Sequence, residues 1–142
     1  MQFETEFYAT SERSTVFVIE AEQVVRSALH YILRDRYRTV IFATLGDAIA
    51  SAEVPDVVLL GVTNLRSEDD ATAPGELFAG AKILLIADRH SDPRAQAALQ
   101  RGAHGIVSKP ISFESVRDAV GKAVARPVFA DGPSRLIRVA FG

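Results

Sequence analysis

The sequence predicts a single α/β domain built on one five-stranded parallel sheet, doubly wound so that helices cover both faces. Three observations predict it. Short, wholly apolar runs of strand length recur along the chain, and amphipathic stretches of helical spacing separate them. A chain of 142 residues has room for one well-buried core but not for two ordinary domains.

Residues 1–14 are polar with a few aromatics and no clear period, so they read as an N-terminal tail. The run Thr15-Val16-Phe17-Val18-Ile19-Glu20 is β-branched and aromatic, as expected of a strand buried on both faces. Val24, Val25, Ala28, Leu29, Ile32 and Leu33 then recur at helical spacing, with Arg26, Arg34 and Asp35 on other faces. Thr39-Val40-Ile41-Phe42-Ala43 predicts a second strand, and Leu45, Ala48, Ile49 and Ala52 a second short helix ending before Pro55. Pro55-Asp56 opens the third strand, whose core Val57-Val58-Leu59-Leu60 is wholly apolar and stops at Gly61, as a central strand should.

Residues 64–81 are less regular. They carry the acidic triplet Glu68-Asp69-Asp70 and predict a loop with at most a short helix after Pro74. Ile83-Leu84-Leu85-Ile86-Ala87 is a fourth buried strand. Ser91-Asp92-Pro93 then supplies a cap and a first-turn proline for a helix ending near Gly102. Gly105-Ile106-Val107-Ser108 is a brief fifth strand. Ser112 caps a last helix with Val116, Ala119, Val120, Ala123 and Val124 on its apolar side. The domain is therefore expected over residues 15–126, with a C-terminal extension over 127–142.

Composition narrows the chemistry. With no cysteine, the chain can form no disulfide, thiolate metal site or cysteine nucleophile. A net charge of -2 with mixed signs offers no broad basic face for nucleic acid. No apolar run approaches a membrane span, and the start of the chain lacks the pattern of a secretory signal, so the expected location is the cytoplasm. Glu20-Ala21-Glu22-Gln23 after the first strand would repel a phosphate where a nucleotide fold needs a glycine-rich cradle. No serine sits in a Gly-x-Ser-x-Gly elbow, and His30, His90 and His104 lack metal-ligand spacing. No enzymatic activity and no cofactor are expected.

In a doubly wound sheet the working site lies beyond the carboxyl ends of the strands. The residues to inspect are therefore Glu20 and Glu22, Thr44, the stretch from Gly61 to Asn64, Ala87 and Asp88, and Lys109 with Pro110. Asp56 lies five residues before Gly61, about 16 Å away at the opposite end of the sheet.

Four pieces in order then carry a resemblance: Val18-Ile19-Glu20-Ala21-Glu22 with Val25-Arg26, Pro55-Asp56-Val57-Val58-Leu59-Leu60, Arg101-Gly102-Ala103-His104-Gly105, and Ser108-Lys109-Pro110. Over about residues 15–125 the chain resembles the receiver domain of two-component response regulators, which implies the flavodoxin-like strand order 2-1-3-4-5. In that family, two acidic residues after the first strand help hold magnesium, and an aspartate ending the third strand accepts phosphate from a histidine kinase. Those positions read Glu20, Ala21 and Gly61 here. The hydroxyl residue of the fourth strand and the aromatic of the fifth, which rearrange together after phosphorylation, are replaced by Ala87 and Ile106. Lys109 remains beside Pro110, which in the family commonly follows a cis peptide bond.

The resemblance thus implies a degenerate receiver, or pseudo-receiver, without the phosphoacceptor. Its expected function is phosphorylation-independent protein contact or homodimerisation, and the relatives nominate the fourth helix, fifth strand and fifth helix as the face. Arg94, Arg101, Arg117, Asp118 and Lys122 are the candidate interface charges there. Neither nucleic acid nor membrane is an expected partner.

Two alternatives stay open: phosphorylation at a surrogate acceptor such as Asp88, with magnesium near Glu20, and a small-molecule sensor using the space left by Gly61 and Ala87. Lys109 is expected to pair with Glu20 or Glu22. The extension, too short for a DNA-binding domain, places Val128-Phe129-Ala130 and the apolar residues Leu136, Ile137, Val139 and Phe141 either side of the turn signal Asp131-Gly132. It is expected to pack on the domain or on a neighbouring subunit.

Overall fold

The computed structural model describes residues 13–66 and 74–125. The acidic triplet at 68–70 and the extension at 127–142 lie outside the described residues, as does all but the end of the N-terminal tail. The elements run β1 (Thr15–Ile19), α1 (Gln23–Leu33), β2 (Arg38–Phe42), α2 (Leu45–Ile49), β3 (Val57–Gly61), a 3-10 turn (Val62–Asn64), α3 (Pro74–Leu77), β4 (Lys82–Ala87), α4 (Pro93–Gln100), β5 (Gly105–Ser108) and α5 (Phe113–Ala125). All pairings are parallel, in the order β2-β1-β3-β4-β5.

The period of two along each strand divides the core into two layers. Phe17 and Ile19, Val58 and Leu60, and Ile83, Leu85 and Ala87 face Ala48 of α2, Phe78 after α3, and Ala95 and Ala98 of α4. Val16 and Val18, Val57 and Leu59, and Leu84 and Ile86 face Leu29, Ile32 and Leu33 of α1 and Val116, Val120 and Ala123 of α5. Strands buried on both sides can be apolar throughout, and β3 is. Phe17 anchors the first layer edge-on to Phe42 at 4.8 Å and to Phe78 at 6.0 Å.

Several boundaries differ from the sequence expectation: β2 begins and ends one residue earlier than read, and β4 begins one residue earlier. Glu20 lies just past β1, Pro55 and Asp56 precede β3, and α2 stops at Ile49 without taking in Ala52. The helix ends early because Ser51 N–H turns back to Ala48 O while Ser51 Oγ accepts from Glu53 N–H, a local side-chain bond that competes with a further helical turn. The α4 cap stands as read: Asp92 Oδ1 accepts from Arg94 N–H at 2.8 Å, and Pro93 opens the helix.

Candidate functional site

The carboxyl ends of β1, β3, β4 and β5 bring Glu20, Gly61, Ala87 with Asp88, and Lys109 to one edge of the sheet. Asp56 sits at the other edge, where its carboxylate accepts from Thr15 N–H.

Glu20 is the one buried charged residue among those described, at 1% exposure. Its side chain bends over the end of β3. Oε2 accepts from Glu22 N–H at 2.9 Å and from Thr63 Oγ1–H at 3.0 Å. Oε1 is fully buried with no hydrogen-bond donor, and it lies where a Cβ on residue 61 would stand. Such a Cβ would overlap Oε1 and come within 2.9 Å of Glu20 Cδ. Gly61 thus leaves the space that the Glu20 carboxylate takes up, and a side chain there would make that carboxylate swing aside. The room left by Gly61 is not a ligand cavity, because Glu20 fills it, and Ala87 is fully buried in the core. This overturns the expectation of open space at that point.

Lys109 pairs with Glu22, at 3.3 Å, and approaches Asp88 at 3.6 Å. Burial works against its charge, but the Glu22 hydrogen bond and the fields of Glu22, Glu20 and Asp88 outweigh it and hold the ammonium above its ordinary pKa. The peptide bond from Lys109 to Pro110 is cis. Asp88 stands at the rim with its side chain 84% exposed. Three carboxylates thus surround one ammonium, a field that disfavours a further anion.

The loops around this edge are tied together. Asn64 Oδ1 accepts from Ala21 N–H at 3.1 Å while its Nδ2–H donates to Ala43 O at 2.9 Å, so one amide links the loops after β1, β2 and β3. Arg26 donates to Glu20 O at 2.8 Å from the first turns of α1. Arg94 reaches back from α4 to Val62 O and Leu65 O at 3.0 and 3.2 Å while pairing with Asp92. Burial pushes the Asp92 carboxyl up, but its bonds from Arg94 and from Ala95 N–H hold it below the ordinary carboxylate value.

The five candidate interface charges divide accordingly. Arg94 faces the loop after β3. Arg117 pairs with Asp35 at 3.4 Å and lies over the Phe113 ring at 4.5 Å, inside the domain. Arg101 is exposed at the end of α4, and Asp118 and Lys122 form an exposed pair on α5 at 3.2 Å. That pair, with Ile106, lines a groove of about 270 Å³ between β5 and α5. His104 borders the same groove and accepts from Ile83 N–H through Nδ1 at 3.0 Å.

The residues present do not suit the magnesium ion that the resemblance implies. A hard cation needs several oxygen ligands, but Ala21 and Gly61 supply no side-chain oxygen, and of the Glu20 carboxylate only Oε1 lacks a donor. Among the described residues, no group of three or more acidic or histidine side chains is arranged for a metal.

Sequence reasoning identified which residues share the edge but missed the direction of Glu20 and the ties made by Thr63, Asn64 and Arg94. The available signal was Gly61 itself, since a glycine closing a buried strand often marks a close approach by another group.

Comparison with known proteins adds the fold. No protein-family model matches the sequence, and no curated protein matches it. Solved structures do match. A response regulator from Thermotoga maritima superposes with a TM-score of 0.69 at 18% identity, over 79% of this chain and 98% of that one. The Vibrio cholerae chemotaxis protein CheY4 gives 0.68 at 20% identity, over 78% and 98%. A CheY-like receiver domain protein from Methanospirillum hungatei gives 0.69 at 16% identity, over 79% and 94%. At these identities the likeness establishes the receiver-type fold. Among the described residues, no helix is long and apolar enough to cross a membrane.

Proposed function

We propose that this chain is a non-enzymatic signalling module of the receiver type that works by protein contact without phosphoryl transfer at the end of β3. The observation that carries the reading is the Glu20 carboxylate seated in the space that an acceptor side chain on residue 61 would need. Supporting it, Lys109 is engaged by Glu22 and Asp88 and not left free for an incoming phosphate. Ala87 and Ile106 cannot perform the hydroxyl and aromatic rearrangement of the resembling family. With no acceptor on residue 61 and its space already filled, the contact surface on this reading needs no phosphoryl switch.

The contact face follows from the resemblance and from the exposed charges there: Arg101 at the end of α4, with Asp118 and Lys122 beside the β5–α5 groove. An isologous dimer would set these charges against their copies across a two-fold axis. Sedimentation velocity of the native chain and of Arg101→Glu, each with and without acetyl phosphate and magnesium, tests this. The expected result is self-association that the reversal weakens and acetyl phosphate leaves alone. Association that ignores the reversal, or that appears only with acetyl phosphate, would overturn it.

The second reading, phosphorylation at Asp88, draws on one observation: its carboxylate lies 3.6 Å from Lys109 Nζ at the correct end of the sheet. It predicts phosphoryl mass on the native chain that Asp88→Asn abolishes.

A further inference from the structure

His104 and Ile83 are joined twice where β4 and β5 begin. His104 N–H donates to Ile83 O at 2.8 Å, and Ile83 N–H donates to His104 Nδ1 at 3.0 Å. The ring replaces a strand carbonyl that the chain does not offer. Residues 101–103 still close the end of α4, with Gly102 N–H bonded to Leu99 O and Ala103 N–H to Ala98 O, and Gly102 takes a φ of 110°. The sheet pairing proper starts one step later, at Leu84 with Gly105. Ile83 is 2% exposed, so its N–H has little access to water and depends on the imidazole.

A backbone N–H only donates. The Nδ1 that faces it must therefore keep its lone pair, so the clasp is made by a neutral ring with its proton on Nε2. Protonation sets two donors against each other and leaves the Ile83 N–H unpaired. Histidine, with an ordinary pKa of about 6.5, is the side chain that can make this change near neutrality.

We propose that protonation of His104 switches the contact face off: the ring leaves Ile83, the start of β5 loosens, and association weakens. On the protein-contact reading above, which this switch presupposes, the device lies within the contact face and not at the sheet's carboxyl edge, where Glu20 fills the site.

His104 lines the β5–α5 groove with Gly105, Ile106 and Val107, so a change at the clasp reaches the groove wall directly. The charged groups around the ring set the direction. Across the groove on α5 stand Asp118 and Lys122, already paired at 3.2 Å; Arg101 ends α4, and Lys82 opens β4 next to Ile83. Asp118 is the one carboxylate among the described residues lining the groove. An imidazolium competes with Lys122 for it and raises the positive charge of the rim. Across a two-fold axis that added charge meets its own copy, so protonation opposes association.

Amide exchange and sedimentation velocity on the full chain, from about pH 8 to 5, test this with His104→Asn alongside. Asparagine places Oδ1 where Nδ1 stands, so the variant keeps an acceptor for Ile83 N–H that does not titrate. In the native chain the protection of Ile83 N–H, corrected for intrinsic exchange, should fall by about tenfold as the His104 ring titrates. Self-association should weaken over the same range. Both should hold steady in His104→Asn. Protection that ignores the ring titration, or that falls equally in the variant, would overturn the clasp. A clasp that opens while association stays constant would overturn its role as the switch. A chain that associates at no pH, with the Ile83 response intact, would refute the contact face itself, and the switch with it.

Discussion

Glu20 Oε1 and the missing side chain of Gly61 share one space: the buried carboxylate of the first strand's end lies where a Cβ on the third strand's end would stand. The two positions should therefore be energetically coupled. Gly61→Ala should cost about 1 kcal/mol, since only the far end of the Glu20 side chain has to shift. Glu20→Ala should cost about 2–3 kcal/mol, because it empties the space and orphans the donors of Glu22 and Thr63. The double substitution should cost clearly less than the sum, since alanine at 61 then enters vacated room. A double-mutant cycle by urea unfolding measures this, and strict additivity would show that the two residues do not compete.

Arg94 ties α4 to the loop after β3 through Val62 O and Leu65 O. Arg94→Ala should lower stability by about 1–3 kcal/mol and release that loop. Hydrogen exchange reads the second effect at Leu65 N–H, which otherwise bonds to Val62 O. Unchanged protection at Leu65 would mean the tie is idle.

Asp92 gives the acid limb a defined sign. Its folded pKa lies below the ordinary value of 3.8, so its contribution is complete above that value and is lost as pH falls through the folded one. Asp92→Asn keeps a capping oxygen and removes the ion pair with Arg94, so it should cost about 0.5 kcal/mol near neutrality. The gap between the two proteins should close in strong acid. A gap that stays constant down to the acid transition would contradict the assignment.

Lys109 carries the opposite sign. Its folded pKa is raised above 10.5, so its contribution holds below that value and is lost as pH rises through the folded one. Glu22→Gln removes the partner's negative charge and weakens the hydrogen bond, and should move the alkaline loss of stability to lower pH. Thermal melts of both proteins across the alkaline range test the shift.

Much of the fold was legible because burial on two faces leaves a plain mark. Val57-Val58-Leu59-Leu60 admits no polar residue, and Leu29, Ile32 and Leu33 keep helical spacing. The residues that meet at the sheet's edge were legible as well, since topology alone carries Glu20, Gly61, Ala87 and Lys109 there. What was not legible is where long side chains go. Glu20 turns inward only because a glycine far along the chain leaves room. Arg94 and Arg117 lie on helices whose periodicity suggests an outward face, yet their guanidiniums reach carbonyls and a carboxylate on neighbouring elements. The end of α2 was placed too late for a related reason, a serine hydroxyl bonding to backbone where the apolar spacing continued.

The most direct test of the central claim is intact-mass spectrometry of the native chain after incubation with acetyl phosphate and magnesium, with a receiver of the phosphorylated kind as the positive control. The account predicts that the control gains a phosphoryl group and this chain gains none. A phosphoryl adduct on the native chain would contradict it, and loss of that adduct in Asp88→Asn would place the acceptor beside Lys109.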